Sequence, residues 1–74
     1  MNITIKSKNL FLDMARRSQG KGRVHGQEVP VSKAHLIEEL KSAEMIRFVR
    51  INGGDFFEFL EAGKHFALNH GIEV

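Results

Sequence analysis

At 74 residues the chain makes one domain, near the lower limit for folding without cross-links or a bound metal. Its 42% hydrophobic content, with six Phe, supports a core, though a core of this size supplies only about 3–5 kcal/mol of net stability. Cys is absent, which excludes a disulfide framework, a thiolate nucleophile and a Cys-based zinc site. The net charge of +2 conceals a split. Residues 1–35 carry seven Lys and Arg against Asp13 and Glu28, a net of +5, whereas residues 36–74 carry four against seven carboxylates, a net of −3. Such asymmetry predicts either a face for a polyanion or solvated charges that mix once the chain folds. Residues 1–6 lack the apolar stretch of a secretory signal, and no apolar run nears the ~20 residues that span a bilayer. A cytoplasmic protein with no membrane contact is expected.

Ile3 and Ile5 alternate with polar neighbours, so residues 2–6 read as a short strand, and Ser7 can cap the segment that follows. Leu10, Phe11, Met14 and Ala15 recur at one-turn spacing, which predicts a helix over residues 9–18 that turns Asp13, Arg16 and Arg17 to water. Gly20, Gly22 and Gly26 then interrupt the chain, with Lys21, Arg23 and His25 among them. A mobile basic loop is expected over residues 18–26. Pro30 makes residues 29–31 extended, because its ring fixes φ and pushes Val29 out of the helical region. Ser32 is a favoured N-cap for a helix over residues 33–43. The apolar stripe of that helix is Ala34, Ile37, Leu40 and Ala43, with Leu36 beside it, while Glu38, Glu39 and Lys41 face water.

Two β-rich runs flank Asn52-Gly53, a strong signal for a two-residue hairpin turn with positive φ at both positions. Charge selects the register. An Asn52-Gly53 loop sets Arg50 opposite Asp55, Arg47 opposite Glu58, Phe48 opposite Phe57 and Ile46 opposite Phe59; a Gly53-Gly54 loop sets Arg50 against Phe57 and Val49 against Glu58. Matched cross-strand pairs contribute about 0.2–1 kcal/mol each, which favours the first. A last helix is predicted over residues 61–70, with Gly71 as the residue after its cap and Ile72 folding back. The order implies an α+β domain, its helices packed on a C-terminal β-hairpin beside a short N-terminal strand.

From Val31 onward the chain resembles a winged helix-turn-helix domain. Ser32-Lys33-Ala34-His35-Leu36-Ile37-Glu38-Glu39-Leu40 is similar to that family's recognition helix, a short apolar strand follows, the Asn52-Gly53-Gly54 hairpin takes the place of the wing, and Leu60-Glu61-Ala62-Gly63-Lys64 is similar to the element after it. The resemblance covers roughly the C-terminal 45 residues. It departs at residues 19–31, where the family's usual second helix is not evident, and at Glu44, where Gly is common. It implies a DNA-binding regulator, of transcription or of a bacterial or phage mobile element, acting on duplex DNA; independently of the resemblance, the thin stability margin of so small a core favours a homodimer. Ser32, Lys33 and His35 would then enter the groove, since the first turn of a major-groove helix reaches base edges and phosphates. Arg16, Arg17, Lys21 and Arg23, with His25 of the same basic loop, would add backbone contacts. Arg50, at the hairpin tip, either reaches the DNA or pairs with Asp55. Glu38, Glu39 and Glu44 oppose deep insertion, and a protein-interaction module using the hairpin edge or an exposed Phe and acidic surface is the alternative.

Catalysis is not expected. His65 and His70 lie about 140° apart around a helix, so they do not form the zinc pair seen at a spacing of four residues. No Gly-x-Ser-x-Gly turn holds a Ser, and Gly20-Lys21-Gly22 lacks the spacing of a phosphate-binding loop. No cofactor, metal or small-molecule substrate is implied.

Overall fold

Thr4 determines where the first helix begins. In the computed structural model, which describes residues 3–74, its backbone is extended and its hydroxyl accepts the Ser7 N–H at 3.2 Å. That is an N-cap, and helix α1 runs from Ile5 to Arg17. The strand expected over residues 2–6 therefore does not form: Asn2 lies outside the described residues, and Ile5 and Lys6 are already helical. The alternation of Ile3 with Ile5 was no burial pattern, since Ile5 is 75% exposed. Ser7, expected as a cap, is instead fully buried in the first turn. At the other end Ser18 closes α1, its Oγ donating to the Ala15 carbonyl at 2.7 Å.

The glycine-rich stretch after α1 is not merely a loop. The chain turns through Gln19 and Gly20, both at positive φ, and then forms strand β1, Arg23–His25. Two single 3₁₀ turns follow, Gly26–Glu28 and Val31–Lys33, with Pro30 extended between them as its ring requires. Ser32 lies inside the second turn and does not cap. Helix α2 runs from Ala34 to Ser42 and begins after Lys33, with no side-chain cap. Leu36, Ile37 and Leu40 are its buried face, as the periodicity requires, while Ala34 stays exposed. Glu44 then turns at φ 58, its N–H bonding to the Lys41 carbonyl (3.0 Å) and the Met45 N–H to that of Leu40 (3.1 Å). These two bonds are a Schellman cap with Glu in the position glycine usually takes.

Strands β2 (Ile46–Ile51) and β3 (Gly54–Phe59) form the expected hairpin in the expected register, from Ile46 opposite Phe59 to Arg50 opposite Asp55. Asn52 and Gly53 turn at φ 50 and 81. β1 joins the other side of β3, with Val24 opposite Phe57, giving an antiparallel sheet of order β1-β3-β2. Helix α3, Glu61–Asn69, ends in a second Schellman cap at Gly71, and Ile72 folds back with its N–H on Ala67.

The three helices pack on one face of this sheet. Phe11 of α1 is the centre, fully buried, with its ring edge-on to Phe59 at 5.3 Å and to Phe66 at 5.8 Å. Met14, Val24, Leu40, Met45, Ile46 and Ala67 close around it. No helix among the described residues is long and apolar enough to cross a membrane.

Candidate nucleic-acid interface

Alternation along β1 sends Val24 into the core and turns Arg23 and His25 to the outer face of the sheet. There they flank one ring of β3. The Arg23 guanidinium lies 5.4 Å from the Phe56 ring centre, in cation–π range, and the His25 ring lies 4.3 Å from it. Arg17, Lys21, Glu28 and the positive-φ turn at Gln19 complete a concavity of about 320 Å³ around this pair. Three of the expected site residues, Arg17, Lys21 and Arg23, thus meet in one place although six positions separate the first from the last.

A second concavity, of about 530 Å³, lies between α1 and the entry to α2. Ser32 and Lys33 come to it from the 3₁₀ turn, and His35 from the first turn of α2. Lys6, Asn9 and Asp13 face them from α1, over a floor of Leu10 and Leu36. α2 starts without a side-chain cap, and its entry is a 3₁₀ turn in which the Ala34 N–H bonds the Val31 carbonyl, so the anion-attracting groups here are the Lys33 and His35 side chains with the positive end of the helix dipole behind them. The two concavities are linked along α1, since Asp13 of the second holds Arg17 of the first at 3.0 Å. Arg16 is exposed beside them and lines neither. Arg50 belongs to neither: it sits at the hairpin turn, its Nε donating to Asp55 at 2.9 Å.

Comparison with protein-family models, curated proteins and solved structures finds no match. The chemistry of the surface therefore rests on its own charges. Lys41, Arg47, Arg50 and Lys64, the four cations after residue 36, each hold a carboxylate within 4.0 Å. Of the seven before it, only Arg17 does; among the described residues Lys6, Lys8, Arg16, Lys21, Arg23 and Lys33 have no ion-pair partner. Arg23 is the clearest case. Its cross-strand neighbour Glu58 is equally the neighbour of Arg47, and Glu58 bonds Arg47 at 2.7 Å. The carboxylates that opposed deep insertion are partly accounted for, with Glu38 paired to Lys41 at 2.9 Å and Glu39 bonded to Thr4 at the start of α1.

Lys6, Asn9 and Phe56 were not among the expected site residues, and His25 was expected only as part of a mobile basic loop. The strand reading of residues 2–6 hid Lys6 and its continuity with Asn9, although Lys6, Asn9, Asp13 and Arg17 already carry the three- and four-residue spacing of one helical stripe. The loop reading hid the strand that sets His25 beside Phe56, although Arg23-Val24-His25 alternates polar, apolar, polar as a strand does.

Proposed function

We propose that this protein binds double-stranded DNA, without catalysis, through the side formed by α1, the entry to α2 and β1. The observation that carries the reading is the segregation of unpaired cations. Six of them lie within residues 6–33, and four of these, Lys6, Lys21, Arg23 and Lys33, line two adjoining concavities with no carboxylate among the described residues in ion-pair reach. A free cation releases bound counterions when it meets a phosphate, whereas a paired one must first surrender its carboxylate. Ser32, Lys33 and His35, at the start of α2, are the residues aimed at the groove; Arg16, Lys21 and Arg23 hold the backbone, joined by Lys6 and Asn9, and Arg17, which lines one concavity, joins them only by giving up its bond to Asp13. Arg50 drops out of the contact set because it is paired with Asp55 and lines neither concavity.

The element order supports a winged-helix relation. A strand precedes α2, a hairpin follows it, and β3 lies between β1 and β2. Two 3₁₀ turns stand where the family's second helix is expected, and Glu44 adopts the left-handed conformation for which that position usually carries Gly. On this reading the protein is a small regulator of transcription or of a mobile element. The test is a salt titration of binding to random-sequence duplex DNA. Neutralising about four phosphates predicts a log–log slope near −3.6. No binding at low salt would end the proposal.

A further inference from the structure

The two edges of the sheet differ. The β1 edge lies beside free cations, while the six-residue β2 is unpaired along its outer side. Next to β2 runs an apolar groove of about 310 Å³, lined by Val29, Pro30, Val31, Ala34, Ile37 and Phe48 among others. Val31 is 91% exposed and Phe48 48%. Proteins usually guard such an edge with charges that would be trapped if another strand paired there. Arg47 and Arg50 stand in the guarding positions, but both are turned inward across the hairpin, bonded to Glu58 at 2.7 Å and Asp55 at 2.9 Å.

We propose that β2 pairs antiparallel with β2 of a second copy, about a two-fold axis at Phe48, to make a continuous six-stranded sheet. This goes beyond the DNA reading and does not depend on it. Residues paired across a continuous sheet share a face, so a strand pairing with itself takes a register in which partners are an even number of positions apart. With Phe48 on the axis, Arg47 meets Val49 of the copy, and the pairing ends at Ile46, which is 1% exposed and closes that end of the edge. No cation faces a cation. The two Phe48 rings meet on the groove side, where each covers apolar surface of the other copy. Charge also selects the occupant. Lys41, Arg47 and Arg50 around the groove and edge are all paired, so an acidic peptide finds no free cation; Glu38, Asp55 and Glu58 are paired too, so a basic one finds no free carboxylate. An electrically balanced apolar face matches a copy of itself. The cations beside β1, at the opposite edge, stay outward.

The test is sedimentation equilibrium of the full chain over a roughly hundredfold range of concentration. A dimer is expected, and Phe48→Lys and Val31→Lys should each weaken it by tenfold or more, about 1.4 kcal/mol, with an unchanged far-ultraviolet spectrum. Because the chain has no Cys, Phe48→Cys adds a single thiol. Paired Cβ atoms on the axis lie about 4.5–5.5 Å apart, near disulfide reach, so oxidation should link this variant far faster than Leu68→Cys, a similarly exposed position on α3. A monomer at every concentration, a dimer indifferent to both Lys substitutions, or equal cross-linking at 48 and 68 would each overturn the proposal.

Discussion

Gly63 lies where α3 comes closest to the rest of the fold. A Cβ there would overlap the Met45 carbonyl oxygen and come within 2.9 Å of Phe11 Cζ. The carbonyl cannot easily retreat, because it also accepts the Leu60 N–H at 2.9 Å, and Phe11 is the fully buried centre of the core. Helix propensity alone would make Gly63→Ala stabilising by about 1 kcal/mol. Overpacking against a held backbone atom costs about 1–3 kcal/mol, and more when the neighbour cannot move, so the overlap wins. We expect Gly63→Ala to lower stability by about 2 kcal/mol, read as a lower urea midpoint with an unchanged slope; a raised midpoint would refute the close approach. Glu44 gives the opposite case. It is exposed, it turns at φ 58, and a side chain in that conformation costs about 1 kcal/mol that glycine avoids. Glu44→Gly should therefore stabilise the chain by about 0.5–1 kcal/mol, and thermal unfolding would show it as a higher midpoint.

Elements show where sequence patterns suffice and where they do not. The hairpin was legible in full because its signals are local: Asn52-Gly53 supplies the turn, and Arg47 with Glu58 and Arg50 with Asp55 discriminate between registers that differ by one residue. Helix α2 was legible to within a residue at each end from Ile37 and Leu40. β1 was not, because three residues contain too little periodicity and their partner strand lies some thirty positions away, so only the packed fold reveals Val24 as an inward residue. The start of α1 failed for a related reason. Thr4 caps the helix locally through the Ser7 N–H, but the partner of its own N–H is long-range: Glu39 of α2 accepts from the Thr4 N–H and hydroxyl, doing from a neighbouring helix what a Glu three residues into the same helix does in a capping box. The Thr4 N–H bond is the main cause that holds the Glu39 carboxyl below its ordinary value, aided by the Ser7 and Thr4 hydroxyls and the nearby His35, against an opposing contribution from desolvation. A lowered folded-state value means the ionised form is favoured by folding. Its stabilisation is present above the ordinary carboxyl range and is lost as pH falls through the folded value. Glu39→Gln should accordingly be less stable than the parent at neutral pH, and the difference should close as pH falls below about 5. Denaturant unfolding at a series of pH values would test this; a gap that stayed constant into acid would remove the carboxylate's role.

At the scale of the whole molecule, folding converts a loose charge asymmetry into a division between paired and unpaired cations. The sequence showed the +5 and −3 halves but could not tell whether they would mix. They come together in space, since Lys21 and Arg23 share a concavity with Glu58 and Glu61, but they do not pair, because the acidic half supplies its own partners: Glu38 with Lys41, Asp55 with Arg50, Glu58 with Arg47 and Glu61 with Lys64 are all near neighbours on one helix or one hairpin. The DNA reading therefore predicts unequal effects for substitutions of equal charge. Lys21→Ala, Arg23→Ala and Lys33→Ala should each reduce the magnitude of the salt slope by about 0.9, while Arg50→Ala and Lys64→Ala should leave it unchanged. Arg47 provides the sharpest test, because it touches neither concavity. Across the sheet Glu58 stands between Arg23 and Arg47, and Arg47 holds it. Arg47→Ala releases that carboxylate toward Arg23, so DNA affinity should fall and the slope should shrink by about 0.9, as though Arg23 itself had been removed. Adding Glu58→Gln to Arg47→Ala removes the released charge and should restore the parent slope. A double variant that binds no better than Arg47→Ala alone, measured in the same titration, would show that Arg23 is not a contact and would take the outer face of β1 out of the interface.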